Sequence, residues 1–128
     1  MSFFSALFSD DSNKIPSNLP WISMNDLGVL DEIVTSSHQK PVVIFKHSTR
    51  CSISKFALKN FENEYQPVKN IDFYFLDLIQ FRNISNAIAS KFEVVHQSPQ
   101  ILLIQNGVCT YHDSHQDIDF GKLVLKVG

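Results

Sequence analysis

Two side chains in this 128-residue sequence carry a thiol, Cys51 and Cys109. Cys51 stands in Lys46-His47-Ser48-Thr49-Arg50-Cys51-Ser52-Ile53-Ser54, between an apolar run and a stretch with helical spacing. A cysteine in the first turn of a helix meets free backbone N–H groups and the positive end of the helix dipole, and both favour a thiolate over a thiol. Lys46, His47 and Arg50 add positive charge close by in sequence. Such settings lower a cysteine from about 8.5 to roughly 3.5–7.5, and the thiolate is the form that attacks a disulfide. Three residues after Cys51 comes Ser54, not a second cysteine. Without a local dithiol the simplest chemistry is a monothiol exchange. Cys51 takes a small-thiol cap from a mixed disulfide and is freed by another thiol. Ser54 either donates a hydrogen bond to the Cys51 sulfur or caps its own helix.

The elements that position Cys51 follow from the hydrophobic pattern. Pro41 opens Val42-Val43-Ile44-Phe45, which reads as a strand buried on both faces. A polar turn follows, and then Ile53, Phe56, Ala57, Phe61 and Tyr65 share one face of a helix from about Arg50 to Tyr65. Upstream, Asn25-Asp26 caps a helix carrying Leu27, Leu30, Ile33 and Val34. Downstream, Ile71 to Ile79 reads as a second strand, and a helix spans Ser85 to Phe92 with Ile84, Ile88 and Phe92 buried. Asn106-Gly107 between Gln100–Gln105 and Val108–His112 signals a hairpin, because a type I′ turn needs positive φ at both central residues. His115 to Val127 closes the chain as a helix capped near Asp113 or Ser114, with Ile118, Leu123 and Val127 as core contacts.

This order, a βαβ unit followed by a hairpin and a terminal helix, gives an α/β thioredoxin-like three-layer fold with a mixed sheet of about four strands. Cys51 then ends the first βα connection, at the carboxyl edge of the sheet where such folds place their sites. Ser98-Pro99 enters a strand where this fold carries a cis-proline beside the active cysteine, so Ser98 offers backbone hydrogen-bonding groups to an incoming disulfide. The thioredoxin-like domain spans residues 21–128. Ahead of it, Phe3, Phe4, Leu7 and Phe8 recur at helical spacing, and Lys14 to Pro20 reads as a linker.

Composition narrows the function classes. A net charge of −2, with no Lys/Arg-rich run, leaves no footprint for nucleic acid. No stretch approaches the roughly 18 apolar residues of a membrane span, and no secretory leader pattern is present, so a cytoplasmic protein is expected. His38, His47, His96, His112 and His115 match no metal spacing, and no bound metal or cofactor is expected. Cys109 reads as a small apolar core residue, with a resolving thiol as the other reading. Asp77, just past a strand, is either a solvated end or a functional acid.

The run Phe45-Lys46-His47-Ser48-Thr49-Arg50-Cys51-Ser52-Ile53-Ser54 resembles the YtxJ-like monothiol bacilliredoxins of the bacillithiol system, and the likeness extends from about Trp21 to Gly128. The resemblance implies removal of bacillithiol, as co-substrate, from S-bacillithiolated proteins. Cys51 is then the nucleophile, Lys46, His47, Arg50 and Ser54 tune it, and Thr49, Ser52, Ser98 and Pro99 face the substrate of a monomeric enzyme. One departure stands beside the nucleophile: Ser52 replaces the proline usual in that family, adding an N–H and a hydroxyl. Two alternatives stay open. One is a glutathione-linked monothiol glutaredoxin, although such proteins usually carry Cys-Gly-Phe-Ser and a Gly-Gly pair where this chain has Thr110-Tyr111-His112-Asp113. The other is a binding module with an inert cysteine that docks a partner through Phe3 to Phe8.

Overall fold

In a computed structural model that describes residues 19–67 and 69–128, the chain runs β1 (Trp21–Ser23), α1 (Val29–Ser36), β2 (Val42–His47), α2 (Ser52–Glu64), β3 (Asp72–Asp77), α3 (Arg82–Phe92), β4 (Gln100–Gln105), β5 (Val108–Ser114), a 3-10 turn (His115–Asp117) and α4 (Phe120–Leu125). The five strands lie in the order β1-β3-β2-β4-β5. β3 is parallel to β1 and β2, while β4 is antiparallel to β2 and β5. The architecture is the thioredoxin fold. The Phe3 to Phe8 stretch and the linker up to residue 18 lie outside the described residues.

β2 is central and buried at every position. Alternate side chains therefore face opposite layers. Val42 and Ile44 join Leu30 and Ile33 of α1 and Ile84 and Ile88 of α3 in one core. Val43 and Phe45 join Ala57 and Phe61 of α2 and Phe120 and Leu123 of α4 in the other. Phe61 centres the second core, its ring 5.4–6.2 Å from those of Trp21, Phe45, Phe73 and Phe120.

Several elements depart from the sequence expectation. The three-residue β1 adds a fifth strand at the sheet edge. It is too short for a pattern, and Trp21 holds it by packing on the aromatic core and donating from Nε1 to Glu62 at 2.7 Å. α1 begins later than Asn25-Asp26 suggests, because the Asp26 carboxylate accepts from Gly28 N–H in a turn of its own, leaving Leu27 49% exposed. α3 begins a turn earlier than expected, at Arg82. The single terminal helix is broken: the 3-10 turn ends at Asp117, and Asp119 starts α4 by accepting from Lys122 N–H at 2.8 Å. Ile118 and Leu123 still reach the core.

The hairpin tip has the backbone that Asn-Gly encodes, with φ of 53° at Asn106 and 81° at Gly107. Its N–H groups donate to the Ser37 carbonyl at 2.9 Å and the Ser37 hydroxyl at 2.8 Å, tying the tip to the end of α1. A Cβ on Gly107 would meet His38 Nε2 at 3.2 Å. Gly107→Ala is therefore expected to destabilise the fold by about 1–2 kcal/mol, read as a lowered urea midpoint with an unchanged slope.

Candidate active site

β2 runs out at His47, and the chain turns through Ser48, Thr49 and Arg50 before α2 begins. Cys51 is the N-cap of α2, with extended backbone at φ −114° and ψ 123°. Its N–H donates to the Ser48 carbonyl at 3.3 Å, and its carbonyl accepts from Lys55 N–H at 3.1 Å. The thiol is half-buried and unpaired. No acidic side chain occupies the first turn of α2 to repel a thiolate there. Ser52, Thr49 and Arg50 are exposed around it.

Ser54 is fully buried, and its hydroxyl takes neither role suggested by the sequence. Its oxygen lies 2.7 Å from His47 Nδ1 and accepts from the Ser48 N–H at 3.0 Å. A hydroxyl has one proton to give. With the Ser48 N–H donating to the oxygen, a neutral His47 whose Nδ1 accepts that proton is the assignment that satisfies all three groups. Burial pushes the His47 pKa below its ordinary value, Asp77 opposing and Lys55 reinforcing the shift, so the neutral ring is favoured. Asp77 stands beside His47 through the β2–β3 register, and its carboxylate also accepts from the Ile79 and Gln80 N–H groups. The result is a pin: the strand end, the loop and the first turn of α2 are fastened together under Cys51.

Lys46 lies on the opposite side of β2. It is 0% exposed, and its Nζ reaches the Ser85 carbonyl of α3 at 3.4 Å. Ser85 Oγ in turn lies 3.4 Å from His96 Nδ1. Burial lowers the Lys46 pKa to about 8. His96 is also lowered, by burial and then by Lys46 and Arg82. Lys46 is therefore part of an α3-side polar cluster and makes no direct contact with Cys51.

The Ser98–Pro99 peptide bond is cis. Lys46 pairs with Gln100, so continuing the β2–β4 register sets Pro99 opposite His47 and Ser98 opposite Ser48, at the edge where Cys51 sits. Ser98 Oγ is buried with no hydrogen-bond partner among the described residues. Pro99 also accepts from His115 N–H at 3.0 Å, which joins the 3-10 turn to the site.

Cys109 is at the other end of the sheet. It pairs with Ile104, which pairs with Val42 at the start of β2. Five residues of strand, about 17 Å, separate that level from His47. Its Sγ donates to the Tyr111 carbonyl at 3.3 Å, and burial pushes the thiol pKa up. Cys109 is half-buried and cannot resolve a disulfide at Cys51 in this fold.

The sequence reading missed the Ser54–His47–Ser48 bonds, the approach of Asp77 to His47, and the Ser85–His96 pair beneath Lys46. All of these depend on strand register and helix packing, which no local spacing encodes. The burial of Lys46 differs: its parity with Val42 and Ile44 places it on a buried face.

Among the described residues, no three His, Cys, Asp or Glu side chains are grouped to hold a metal ion, and no helix is long and apolar enough to cross a membrane. A family model described as monothiol bacilliredoxin BrxC matches residues 22–123. Among solved structures, a thioredoxin-fold protein provisionally classed as an oxidoreductase is 30% identical, over 83% of this chain and 92% of its own, with a TM-score of 0.72. Thioredoxin from Malassezia sympodialis is 18% identical, over 88% of this chain and 91% of its own, with a TM-score of 0.63. The short form of thioredoxin f from spinach chloroplast is 14% identical, over 88% and 94%, with a TM-score of 0.62. The last two likenesses concern the fold.

Proposed function

The chain belongs to the monothiol bacilliredoxin family, and on that premise we propose that Cys51 removes bacillithiol from S-bacillithiolated proteins in the cytoplasm. The carrying observation is the position of Cys51: a half-exposed thiol capping α2, with Ser54 occupied elsewhere and Cys109 at the far end of the sheet. A thiol so placed can exchange with a disulfide but has no partner for closing one of its own.

In the proposed step the Cys51 thiolate attacks the bacillithiol sulfur of the mixed disulfide. A Cys51–bacillithiol S–S bond forms, the S–S bond to the protein breaks, and the electron pair leaves on the protein sulfur, which takes a proton from solvent. A second low-molecular-weight thiol, as its thiolate, then attacks the bacillithiol sulfur of the capped Cys51. The S–S bond of a small disulfide forms, the Cys51–bacillithiol S–S bond breaks, and the electron pair leaves on Cys51 as the thiolate. The enzyme acts as a monomer, with bacillithiol as co-substrate and no bound cofactor. The Ser98 backbone receives the incoming disulfide beside Cys51. Ser52 contributes an exposed hydroxyl at the first position of α2, where the family usually has proline.

Intact-mass spectrometry tests this reading. After incubation with a bacillithiolated test protein, the wild-type chain is expected to gain one bacillithiol-sized adduct while the test protein loses its cap. Cys51→Ser should show neither. An adduct on Cys109, or a test protein that stays capped beside wild type, would overturn the proposal.

A further inference from the structure

The sequence pattern assigns Ile53 and Phe56 to the buried stripe of α2, yet they are 43% and 66% exposed, while Ser54 and Ala57 turn inward. Ile53, Phe56, Asn60, His115 and Ile118 line a groove of about 440 Å³ between α2 and the 3-10 turn. Ser52, the residue after the nucleophile, also lines it, so the groove reaches to the edge of the site. The far wall is joined to the site through His115, whose N–H donates to the Pro99 carbonyl.

We propose that this groove takes the polypeptide flanking the capped cysteine of a protein substrate, and that it selects a bulky apolar side chain with an acidic neighbour. The proposal rests on the transfer reaction above and assigns the protein half of its substrate. Attack in line leaves the departing protein sulfur roughly 4–5 Å from the Cys51 sulfur. The substrate backbone is thereby brought to the Ser52 end of the groove. Phe56 lies about 6 Å along α2 from Ser52, a span covered by two or three extended residues. Lys55 and Lys59, one turn apart, border Phe56 on its open side. Both are exposed, and neither is in an ion pair among the described residues. They complement a carboxylate next to the apolar side chain. Covering an apolar surface of this size is worth roughly tenfold or more in binding.

The test compares two substrates of the full chain: a synthetic peptide with a bacillithiol-capped cysteine flanked by Leu and Glu, and the small symmetric bacillithiol disulfide. For Phe56→Asp, and for Lys55→Glu with Lys59→Glu, the ratio of the peptide rate to the small-disulfide rate is expected to fall about tenfold. An unchanged ratio overturns the proposal, whether both rates fall together or neither moves. A peptide with Gly and Lys flanks that reacts as fast as the Leu-Glu peptide overturns it as well. If the full chain shows no flank preference and deleting residues 1–9 creates one, the groove of the full chain is occupied by its own Phe3 to Phe8 stretch, and the assignment to substrate falls. Should wild type take no cap from either substrate, the transfer reaction itself fails. The docking is then decided by NMR with the Leu-Glu peptide carrying serine for cysteine: shifted Ile53 and Phe56 signals support it, and unshifted ones overturn it.

Discussion

Replacing Lys46 with methionine is expected to stabilise the folded chain by about 3 kcal/mol at pH 7, a gain that shrinks to about 1 kcal/mol at pH 10. Lys46 is 0% exposed, has no carboxylate partner among the described ion pairs, and makes one long hydrogen bond, 3.4 Å to the Ser85 carbonyl. Burial accordingly lowers its pKa from 10.5 to about 8. The unfolded chain therefore holds the proton more tightly. Below pH 8 the fold carries the full penalty of a buried charge or of its neutralisation, and that penalty is relieved as pH rises from about 8 toward 10.5. Methionine has similar length and no charge, so it fills the same space without the penalty. Tyr74, Tyr111 and Cys109, whose pKa values are raised, act in the opposite direction at high pH, but wild type and variant share them. The difference in urea unfolding free energy between the two proteins at pH 7, 8, 9 and 10 thus isolates Lys46. A flat difference across that range, or a variant less stable than wild type at pH 7, contradicts the account. The variant also separates two roles. Since Lys46 does not touch Cys51, thiol transfer by Lys46→Met should stay within about threefold of wild type if the lysine acts only on the α3-side core.

The parts of the fold that local sequence encodes were the readable ones. The β-branched and aromatic residues of β2, unbroken by polar side chains, identify a strand covered on both faces, and Asn106-Gly107 dictates the backbone of the hairpin tip. Once these stand in one sheet, the chain has to place Cys51 at the start of α2. What could not be read depends on contacts across the fold. The face of α2 is an instance: Ile53, Phe56, Ala57 and Phe61 fit one wide stripe, but the helix is rotated so that Ser54 packs against His47 and the outer edge of the stripe is left open. Hydrophobicity alone ranks Phe56 above Ser54 for burial, and the hydrogen bonds under Cys51 reverse that order. The break before α4 has a similar origin. Asp119 stops a continuous helix by capping a new one, while His115, at φ 55°, donates to Pro99.

Ser54→Ala is expected to cost about 2–3 kcal/mol of stability and to slow thiol transfer about tenfold. Ser54 is 0% exposed, and its hydroxyl is the shared partner of His47 Nδ1 at 2.7 Å and the Ser48 N–H at 3.0 Å. Deleting it leaves a donor and an acceptor in a buried region with no partner, and each such group costs roughly 1–3 kcal/mol. The lost methyl-sized volume adds little, so the effect is one of polar satisfaction. It reaches the chemistry through position: the Ser48 carbonyl accepts from Cys51 N–H, and releasing Ser48 from Ser54 frees the loop that carries the nucleophile. A thiol misplaced by even a fraction of the length of a bond to be formed loses alignment with the disulfide. Ser54→Thr keeps the hydroxyl and is expected to retain most of the activity. His47→Phe keeps an aromatic ring against Phe75, whose centroid lies 5.5 Å from that of His47, but removes the acceptor. If the pin is shared as described, His47→Phe and Ser54→Ala should each slow transfer, and the double variant should be little worse than either single one. Strictly additive losses would show that His47 and Ser54 act separately, and that Cys51 is placed by the backbone of the loop alone.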